Sequence, residues 1–141
     1  CQVLGLDVQE VCCIYPTVPF ILTNDLNYGY EQLLETGANY VFPVTEYPSP
    51  IQRALRRLPD GAVMPFQPKY AANRTQDFEP GYYDVGQMYW GKATAWLQGL
   101  NIHLNGFTFI IPEWRVVDID TPDDWNRAEL LYATLTNKGL L

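Results

Sequence analysis

A strand–helix–strand pattern near the start of the 141-residue chain constrains its fold more than any other sequence feature. Apolar runs at residues 11–15 and 40–44 predict two buried strands, and Pro16 closes the first of them. Between the strands, apolar residues spaced on one stripe over residues 23–36 predict an amphipathic helix. Strands and helices that alternate over such short connections are typical of a parallel α/β sheet.

Both long predicted helices carry signals at their ends. The first has Thr23 or Asn24 as a candidate cap and Gly37 as its stop. The last has Thr121 as its cap, Pro122 at the first helical position and two aspartates in the first turn. It is predicted to run to about residue 137 and to turn one apolar stripe inward: Trp125, Ala128, Leu131, Tyr132 and Leu135.

The middle of the chain follows a different pattern. Apolar runs at residues 51–58 and 62–66 flank an Asp-Gly pair, which indicates a β-hairpin. Residues 67–83 are polar and rich in turn residues. We therefore expect a single domain over residues 1–141, with a hairpin and loop insertion at about residues 50–83. Further elements are predicted as strands at 85–90, 107–111 and 115–117, and as a short helix at 92–98.

The composition of the chain argues against several classes of binding partner. The formal net charge of −7 argues against DNA, RNA and anionic lipid, which need a basic surface. No apolar stretch is long enough to predict a membrane span. Cys1, Cys12 and Cys13 are not spaced as disulfide or metal ligands, which fits a reducing cytoplasm. His103, the only histidine, is predicted to lie in a loop and to have no catalytic role.

Asp118 and Asp120 form the clearest candidate for chemistry. On a strand they share one face, where two carboxylates repel each other unless a cation lies between them. Oxygen ligands favour magnesium, and open α/β sheets bind ligands at the carboxyl ends of their strands. The alternative is that Asp120 or Thr121 caps the last helix while Asp118 is a surface residue. Spacing alone leaves both interpretations open.

Two further segments are either ligand contacts or ordinary structure. The loop from Tyr15 to Phe20 has two prolines directly after a predicted strand, so it is a rigid contact or a simple turn. Arg53, Arg56 and Arg57 suit a carboxylate or phosphate, or they lie on a solvated strand face. On such a strand, Arg53 and Arg57 would share one side.

The long segment at residues 73–90 is both aromatic and polar. Long loops inside compact domains are usually functional or interfacial. Its tyrosine and arginine content is also typical of a dimer interface. Both roles remain possible from the residues alone.

Four segments, taken in order, resemble the pseudaminic acid cytidylyltransferases, which are relatives of the CMP-sialic acid synthetases. They are Ile14-Tyr-Pro-Thr-Val-Pro-Phe20; Val41-Phe-Pro-Val-Thr45 with Pro50-Ile-Gln-Arg-Ala-Leu55; Arg74-Thr-Gln-Asp77 with Asp84-Val-Gly-Gln-Met-Tyr-Trp-Gly91; and Trp114-Arg-Val-Val-Asp-Ile-Asp-Thr-Pro-Asp-Asp-Trp125. Each motif alone is weak, whereas the four in order are specific. The likeness extends from about Leu6 to Tyr132.

The resemblance implies a Rossmann-like α/β fold of the nucleotide-diphospho-sugar-transferase type, with an insertion that crosses to the partner in a homodimer. It implies transfer of a cytidylyl group from CTP to the anomeric hydroxyl of an acidic nine-carbon sugar, with release of pyrophosphate. It also implies that Asp118 and Asp120 are catalytic residues that hold Mg²⁺.

By the same resemblance, one set of residues is expected to bind the sugar acid: Tyr15, Thr17, Arg53, Arg74, Gln76, Tyr83 and Gln87. Among them, Arg74 is the candidate to hold the sugar carboxylate. The sialic acid relatives have glutamine where this chain has Tyr15, so the identity of the sugar stays open.

One departure from the family is large. The family has a Gly-rich basic loop for the triphosphate, whereas no basic residue precedes Arg53 here. We therefore expect a C-terminal portion of such an enzyme, with a fold incomplete at its N-terminus and negligible activity as an isolated chain. Two alternatives remain open: a non-catalytic protein that keeps the sugar-acid and dimer surfaces, and an unrelated acidic α/β domain.

Overall fold

The structure, a computed structural model, describes residues 5–140. These residues form two compact units. The first comprises the described residues up to Thr45 and those from Asp84 onward, and the second comprises Glu46–Tyr83. The second unit contains the segment at about residues 50–83 that the sequence predicts as an insertion.

The described residues form seven strands and four α-helices. The strands are β1 (Glu10–Ile14), β2 (Tyr40–Glu46), β3 (Leu55–Arg57), β4 (Val63–Pro65), β5 (Tyr82–Asp84), β6 (Met88–Lys92) and β7 (Gly106–Ile110). The α-helices are α1 (Thr23–Thr36), α2 (Ala93–Gln98), α3 (Ile102–Asn105) and α4 (Pro122–Asn137).

The main sheet is mixed, so the predicted parallel arrangement is wrong. Its strands follow one another in the order β1–β6–β2–β5, and β7 also pairs with β2. β6 runs antiparallel to both β1 and β2, whereas β7 runs parallel to β2. β1 and β2, which α1 connects, therefore lie on either side of β6. Short apolar runs do not encode the direction of a strand, because direction depends on partners that are distant in sequence.

The ends of α1 agree with the sequence prediction, but its cap does not. Gly37 follows the helix in the left-handed conformation, with φ at 64°. Glycine adopts this conformation without steric cost, which explains the stop. The N-cap is Leu22, whose side chain makes no capping hydrogen bond. The prediction of Thr23 or Asn24 as the cap is therefore wrong.

The buried face of α1 centres on Gly29 and Leu33. A Cβ atom at Gly29 would lie 2.9 Å from Trp90 Cδ1 on β6, so the helix approaches the sheet closely at this point. Tyr30 and Leu34, which the sequence places on the same stripe, are exposed.

The core of the first unit lies on both faces of the sheet, and the adjacent cysteines of β1 show this division. Cys12 packs against the cluster that contains Val41 and Met88, whereas Cys13 packs against Phe42. The two side chains therefore point to opposite faces of the sheet, as those of adjacent residues on a strand do. β1 itself is less buried than predicted, with Val11 and Ile14 exposed.

The start of α4 confirms the strongest helix signal in the sequence. Thr121 Oγ1 accepts a hydrogen bond from the backbone N–H of Asp124 at 3.2 Å, and Asp124 Oδ2 accepts one from the backbone N–H of Thr121 at 2.9 Å. This reciprocal pair is a capping box. Ala128 and Leu135 are buried as predicted.

Two members of the stripe predicted to face inward do not do so. Trp125 and Tyr132 are exposed, whereas Ala128, Leu131 and Leu135 pack in the core on this side of α4. The two aromatic rings instead line an open cavity of about 390 Å³.

The capping box makes the stability of the protein sensitive to acid. Hydrogen bonds from Thr121 hold the pKa of Asp124 below its ordinary value of 3.8. The ionised carboxylate therefore stabilises the fold fully above that value, and the stabilisation is lost as the pH falls through the lowered pKa. We expect Asp124→Asn to unfold at lower urea than the wild type at pH 6, and the difference to shrink below pH 4. A difference that does not change with pH would contradict this expectation.

The second unit confirms the predicted hairpin, although its strands are short. β3 pairs antiparallel with β4, with Leu55 opposite Pro65 and Arg57 opposite Val63. Ile51–Arg53 is a 3-10 turn, so the prediction that Arg53 and Arg57 share a strand face is wrong. The rest of the unit contains two further 3-10 turns, Pro68–Tyr70 and Thr75–Asp77, as expected for a loop-rich segment.

Candidate functional site

Two loops of the first unit meet at Asp118, one of the two aspartates that the resemblance predicts as catalytic. The loop that follows β1 carries Thr17, and the segment before α4 carries Asp118. Thr17 Oγ1 donates a long hydrogen bond of 3.4 Å to Asp118 Oδ1, although 101 positions separate the two residues. The structure thus brings together two residues that the sequence assigns to different parts of one site.

The strand predicted at residues 115–117 is absent from the described chain. Glu113–Arg115 is a 3-10 turn, and residues 116–119 have no regular secondary structure. The backbone N–H of Arg115 donates to Pro112, and that of Val116 donates to Glu113. Because these turns use the N–H groups that a strand would give to its neighbour, the segment does not join the sheet.

Asp118 and Asp120 are both exposed, on either side of the half-buried Ile119. The shared strand face that motivated their pairing is therefore not present. The Asp120 backbone N–H donates to Asp124 Oδ2 at 3.3 Å, which ties this residue to the capping box of α4. The two carboxylates thus remain exposed before α4, and that of Asp118 contacts the Thr17 loop.

A buried ion pair fixes the turn that precedes these aspartates. Arg115 is only 6% exposed, and its guanidinium binds both carboxylate oxygens of Asp25 in the first turn of α1. One of these contacts, Nη2 to Oδ1, is 3.2 Å long. Arginine binds a carboxylate in this bidentate geometry with high directional specificity. The turn is therefore anchored to the start of α1 three residues before Asp118.

Gln87 links the two loops of the site. Its side chain is 2% exposed, and its Nε2 donates to the carbonyl of Arg115 at 3.0 Å. The backbone carbonyl of Gln87 accepts a hydrogen bond from the backbone N–H of Tyr15 at 3.1 Å. These contacts support a positioning role, and direct contact between Gln87 and a substrate stays a prediction.

A second network, which the sequence interpretation missed, lies beside Tyr15. The Tyr15 ring packs against the ring of Tyr89, with centroids 5.7 Å apart. The hydroxyl of Tyr89 donates to Asp84 Oδ2 at 2.9 Å, and the same oxygen lies 2.8 Å from His103 Nε2. Burial, followed by the hydrogen bond to Asp84, raises the pKa of Tyr89 well above its ordinary value. His103 lies in α3, so its predicted loop position is wrong.

The remaining predicted residues lie in the second unit. Arg74 pairs with Asp77 through its Nε at 3.1 Å and its Nη2 at 3.3 Å, and both side chains are exposed. Gln76 lies exposed in the same turn. Tyr83 is half-buried, and its ring centroid lies 4.8 Å from that of Tyr47.

Arg53 has a different environment from Arg74. Its Nη1 donates to Thr75 Oγ1 at 3.1 Å, and within residues 5–140 no carboxylate pairs with it. It lines a cavity of about 450 Å³ in the second unit, together with the hydroxyl-bearing Tyr47, Ser49 and Thr75. A guanidinium surrounded by hydroxyl groups suits an anionic ligand.

The cysteines have no visible chemical role. Cys12 and Cys13 are free and half-buried, and Cys1 lies outside the described residues. Burial and the neighbouring Cys13 raise the pKa of Cys12 to about 11, which disfavours the reactive thiolate.

The described residues form neither a cluster of metal ligands nor a membrane-spanning helix. Over residues 5–140, no three or more His, Cys, Asp and Glu side chains cluster in a way that could hold a metal ion. None of the helices in that range has the length and apolar character to cross a membrane.

Comparison with known proteins tests the resemblance directly. The chain is 36% identical over 125 residues to a pseudaminic acid cytidylyltransferase of Campylobacter jejuni serotype O:23/36, and 35% identical to that of serotype O:2. Each alignment covers 88% of this chain and 54% of the relative, so the chain spans about half the length of these curated relatives. No family model matches the chain.

A third relative is named for two activities. It is a Helicobacter pylori protein named pseudaminic acid cytidylyltransferase and UDP-2,4-diacetamido-2,4,6-trideoxy-beta-L-altropyranose hydrolase. The chain is 30% identical to it over 90 residues, which cover 63% of this chain and 17% of the relative. The resemblance that the four motifs predicted is therefore confirmed: over most of its length, this chain is a homologue of the pseudaminic acid cytidylyltransferases.

Proposed function

We propose that the chain supplies the sugar-acid and metal-binding part of a cytidylyltransferase that joins CTP to an acidic nine-carbon sugar and releases pyrophosphate. The names of its relatives support the reaction class. The observation that carries the proposal is the meeting of Thr17 and Asp118, because each belongs to a different motif of the resemblance. Pseudaminic acid is the proposed sugar, and the cytoplasm is the proposed location.

The residues around Asp118 fit a magnesium ion in their donor chemistry. Asp118, Asp120 and Thr17 offer carboxylate and hydroxyl oxygens, which are the donors that Mg²⁺ prefers. Magnesium commonly binds through one or two protein carboxylates plus substrate phosphates and water, so a larger protein cluster is not required. When bound, the ion would neutralise negative charge on the phosphates of CTP.

The protein side chains have separate tasks in this scheme. Asp118 and Asp120 would hold the ion, while Thr17 orients the Asp118 carboxylate through its hydroxyl. Arg53 is better suited than Arg74 to hold the sugar carboxylate, because Asp77 already occupies the guanidinium of Arg74. A positioned sugar acid would present its anomeric hydroxyl to the α-phosphate, and positioning is a large part of catalysis in phosphoryl transfer.

The proposal extends to the fold and assembly of the full enzyme. We place the first unit in the Rossmann-like class, and the second unit, Glu46–Tyr83, is the proposed dimerisation insertion. The sequence holds no Gly-rich basic loop before Arg53, so the 141-residue chain alone is proposed to turn over CTP negligibly. The cavity around Arg53 equally suits a second candidate function, a non-catalytic protein that binds the sugar acid. Binding of the sugar acid without turnover of CTP would fit that candidate.

Manganese titration tests the metal part of the proposal. We expect Mn²⁺ to broaden the amide NMR signals of residues 117–121 first, because the paramagnetic ion would bind at these carboxylates. Asp118→Asn should weaken this binding at least tenfold, and Thr17→Val should weaken it about tenfold as a supporting residue. Asp123→Asn is the matched control, since it makes the same change of charge five positions from Asp118 and three from Asp120 and should leave the affinity nearly unchanged.

The same titration can contradict the proposal. If broadening centres on Asp124, or if Asp118→Asn and Asp123→Asn behave alike, the ion does not bind where we place it.

A further inference from the structure

Three donors converge on the carboxylate of Asp84. Its Oδ1 accepts from the backbone N–H of Gly86 at 2.9 Å. Its Oδ2 accepts from the hydroxyl of Tyr89 at 2.9 Å and lies 2.8 Å from His103 Nε2. A carboxylate has only acceptor oxygens, so in this contact the Nε2 of His103 carries a hydrogen and donates it to Asp84. Asp84 is therefore oriented by its neighbours before any ligand arrives.

The network continues from Tyr89 to the loop that carries Tyr15. Tyr89 is 7% exposed, whereas Tyr15 is 47% exposed. The two rings lie at an interplanar angle of 55°, so the buried ring supports one side of the exposed ring. The backbone of Tyr15 is held separately by the carbonyl of Gln87. The contact with Tyr89 therefore orients the side chain of Tyr15, whereas Gln87 holds its backbone.

A second contact, with an aromatic ring, holds the imidazole of His103. Its ring meets Phe42 edge to face, with centroids 5.6 Å apart, and Phe42 also packs against Tyr89 at 5.7 Å. Phe42 is buried in β2, so it offers a fixed surface. The imidazole is therefore confined between a carboxylate and an aromatic ring, although much of it is exposed.

We propose that His103, acting through Asp84 and Tyr89, is a positioning residue that orients the ring of Tyr15 for contact with the sugar acid. This inference rests on the proposed function and on the expectation, drawn from the resemblance, that Tyr15 contacts the sugar acid. A ring that is already ordered loses less conformational freedom on binding. Loss of one ordered side chain of this kind should weaken binding by about three- to tenfold.

The first test needs no ligand. Selective labelling of tyrosine rings allows the nuclear Overhauser effect between Tyr15 and Tyr89 to be measured in the 141-residue chain. We expect His103→Leu to weaken this effect and shift the Tyr15 signals, and His103→Gln to restore them, because the glutamine amide can also donate to Asp84. Leu104→Gln, on an exposed position of the same helix, is the matched control.

The second test measures the affinity for pseudaminic acid and N-acetylneuraminic acid by calorimetry. His103→Leu should bind about three- to tenfold more weakly at an unchanged melting temperature, and His103→Gln should bind as the wild type does. Tyr89→Phe keeps the ring but removes the hydroxyl, so it should resemble His103→Leu. It tests the same hydrogen-bond network without a substitution in α3.

The outcomes separate the two proposals. Tyr15 signals that stay unchanged in both His103→Leu and Tyr89→Phe would overturn the positioning role. A wild-type chain that binds neither acid would overturn the proposed function and the role in sugar binding, even if the ring contacts respond as expected.

Discussion

Replacing Arg115 with methionine should lower the free energy of unfolding by about 3–5 kcal/mol. The guanidinium is buried, and it is the partner of the Asp25 carboxylate, which is also largely buried. Methionine would fill most of the space but would leave that carboxylate without its counter-charge. Urea denaturation, followed by near-UV circular dichroism, measures the loss.

Two variants make this expectation specific to the ion pair. Asp25→Leu combined with Arg115→Met removes both charges, and it should recover most of the loss. Arg127→Met removes an exposed arginine, and it should change stability by no more than about 0.5 kcal/mol. If Arg115→Met costs less than about 1 kcal/mol, as an exposed pair would, the pair does not anchor the turn.

Replacing Gly91 with alanine should cost about 3 kcal/mol. Gly91 lies in β6 between its partners Val11 and Tyr40. An added Cβ would lie 2.5 Å from Trp96 Nε1 and 2.6 Å from Tyr40 Cδ1. These two rings pack edge to face at 4.9 Å, and Tyr40 is buried, so neither can move away without disturbing the core. Thermal and urea unfolding both report the loss.

Gly29→Ala is the matched control for this substitution. Its added Cβ would lie 2.9 Å from Trp90 Cδ1, which is also close. However, alanine stabilises the interior of a helix by about 1 kcal/mol relative to glycine, which offsets the crowding in α1. The expected cost is therefore much smaller than at Gly91. Equal costs at the two positions would show that crowding by the aromatic pair is not the cause.

Local signals in the sequence predict most of the elements. The stop of α1 at Gly37 and the start of α4 at Thr121 depend on residues within one helical turn, so the sequence contains the necessary information. The hairpin of the second unit follows in the same way from its Asp-Gly turn. The four-motif resemblance likewise needs only the order of short segments.

Features that depend on distant partners could not be predicted in this way. The direction of β6 depends on its pairing with β1 and β2. The absence of a strand at residues 115–117 depends on a turn and on the burial of Arg115 against Asp25, 90 positions away. A charged residue in an apolar run gives no sign that its partner lies in another helix.

The candidate site shows the same limit. The sequence predicts Thr17 and Asp118 as site residues, but only the fold brings them to 3.4 Å. His103 gives no local signal at all, because its partner Asp84 belongs to another element. A single histidine near an aspartate in space cannot be recognised from spacing along the chain.

The hydrogen bond between the main chain of Tyr15 and the backbone carbonyl of Gln87 has a consequence for how this loop tolerates substitution. Because this tether uses only backbone atoms, the side chain at position 15 can be exchanged while the loop keeps its course. Substitution at position 15 can therefore change the surface that this side chain exposes without rebuilding the loop that carries it.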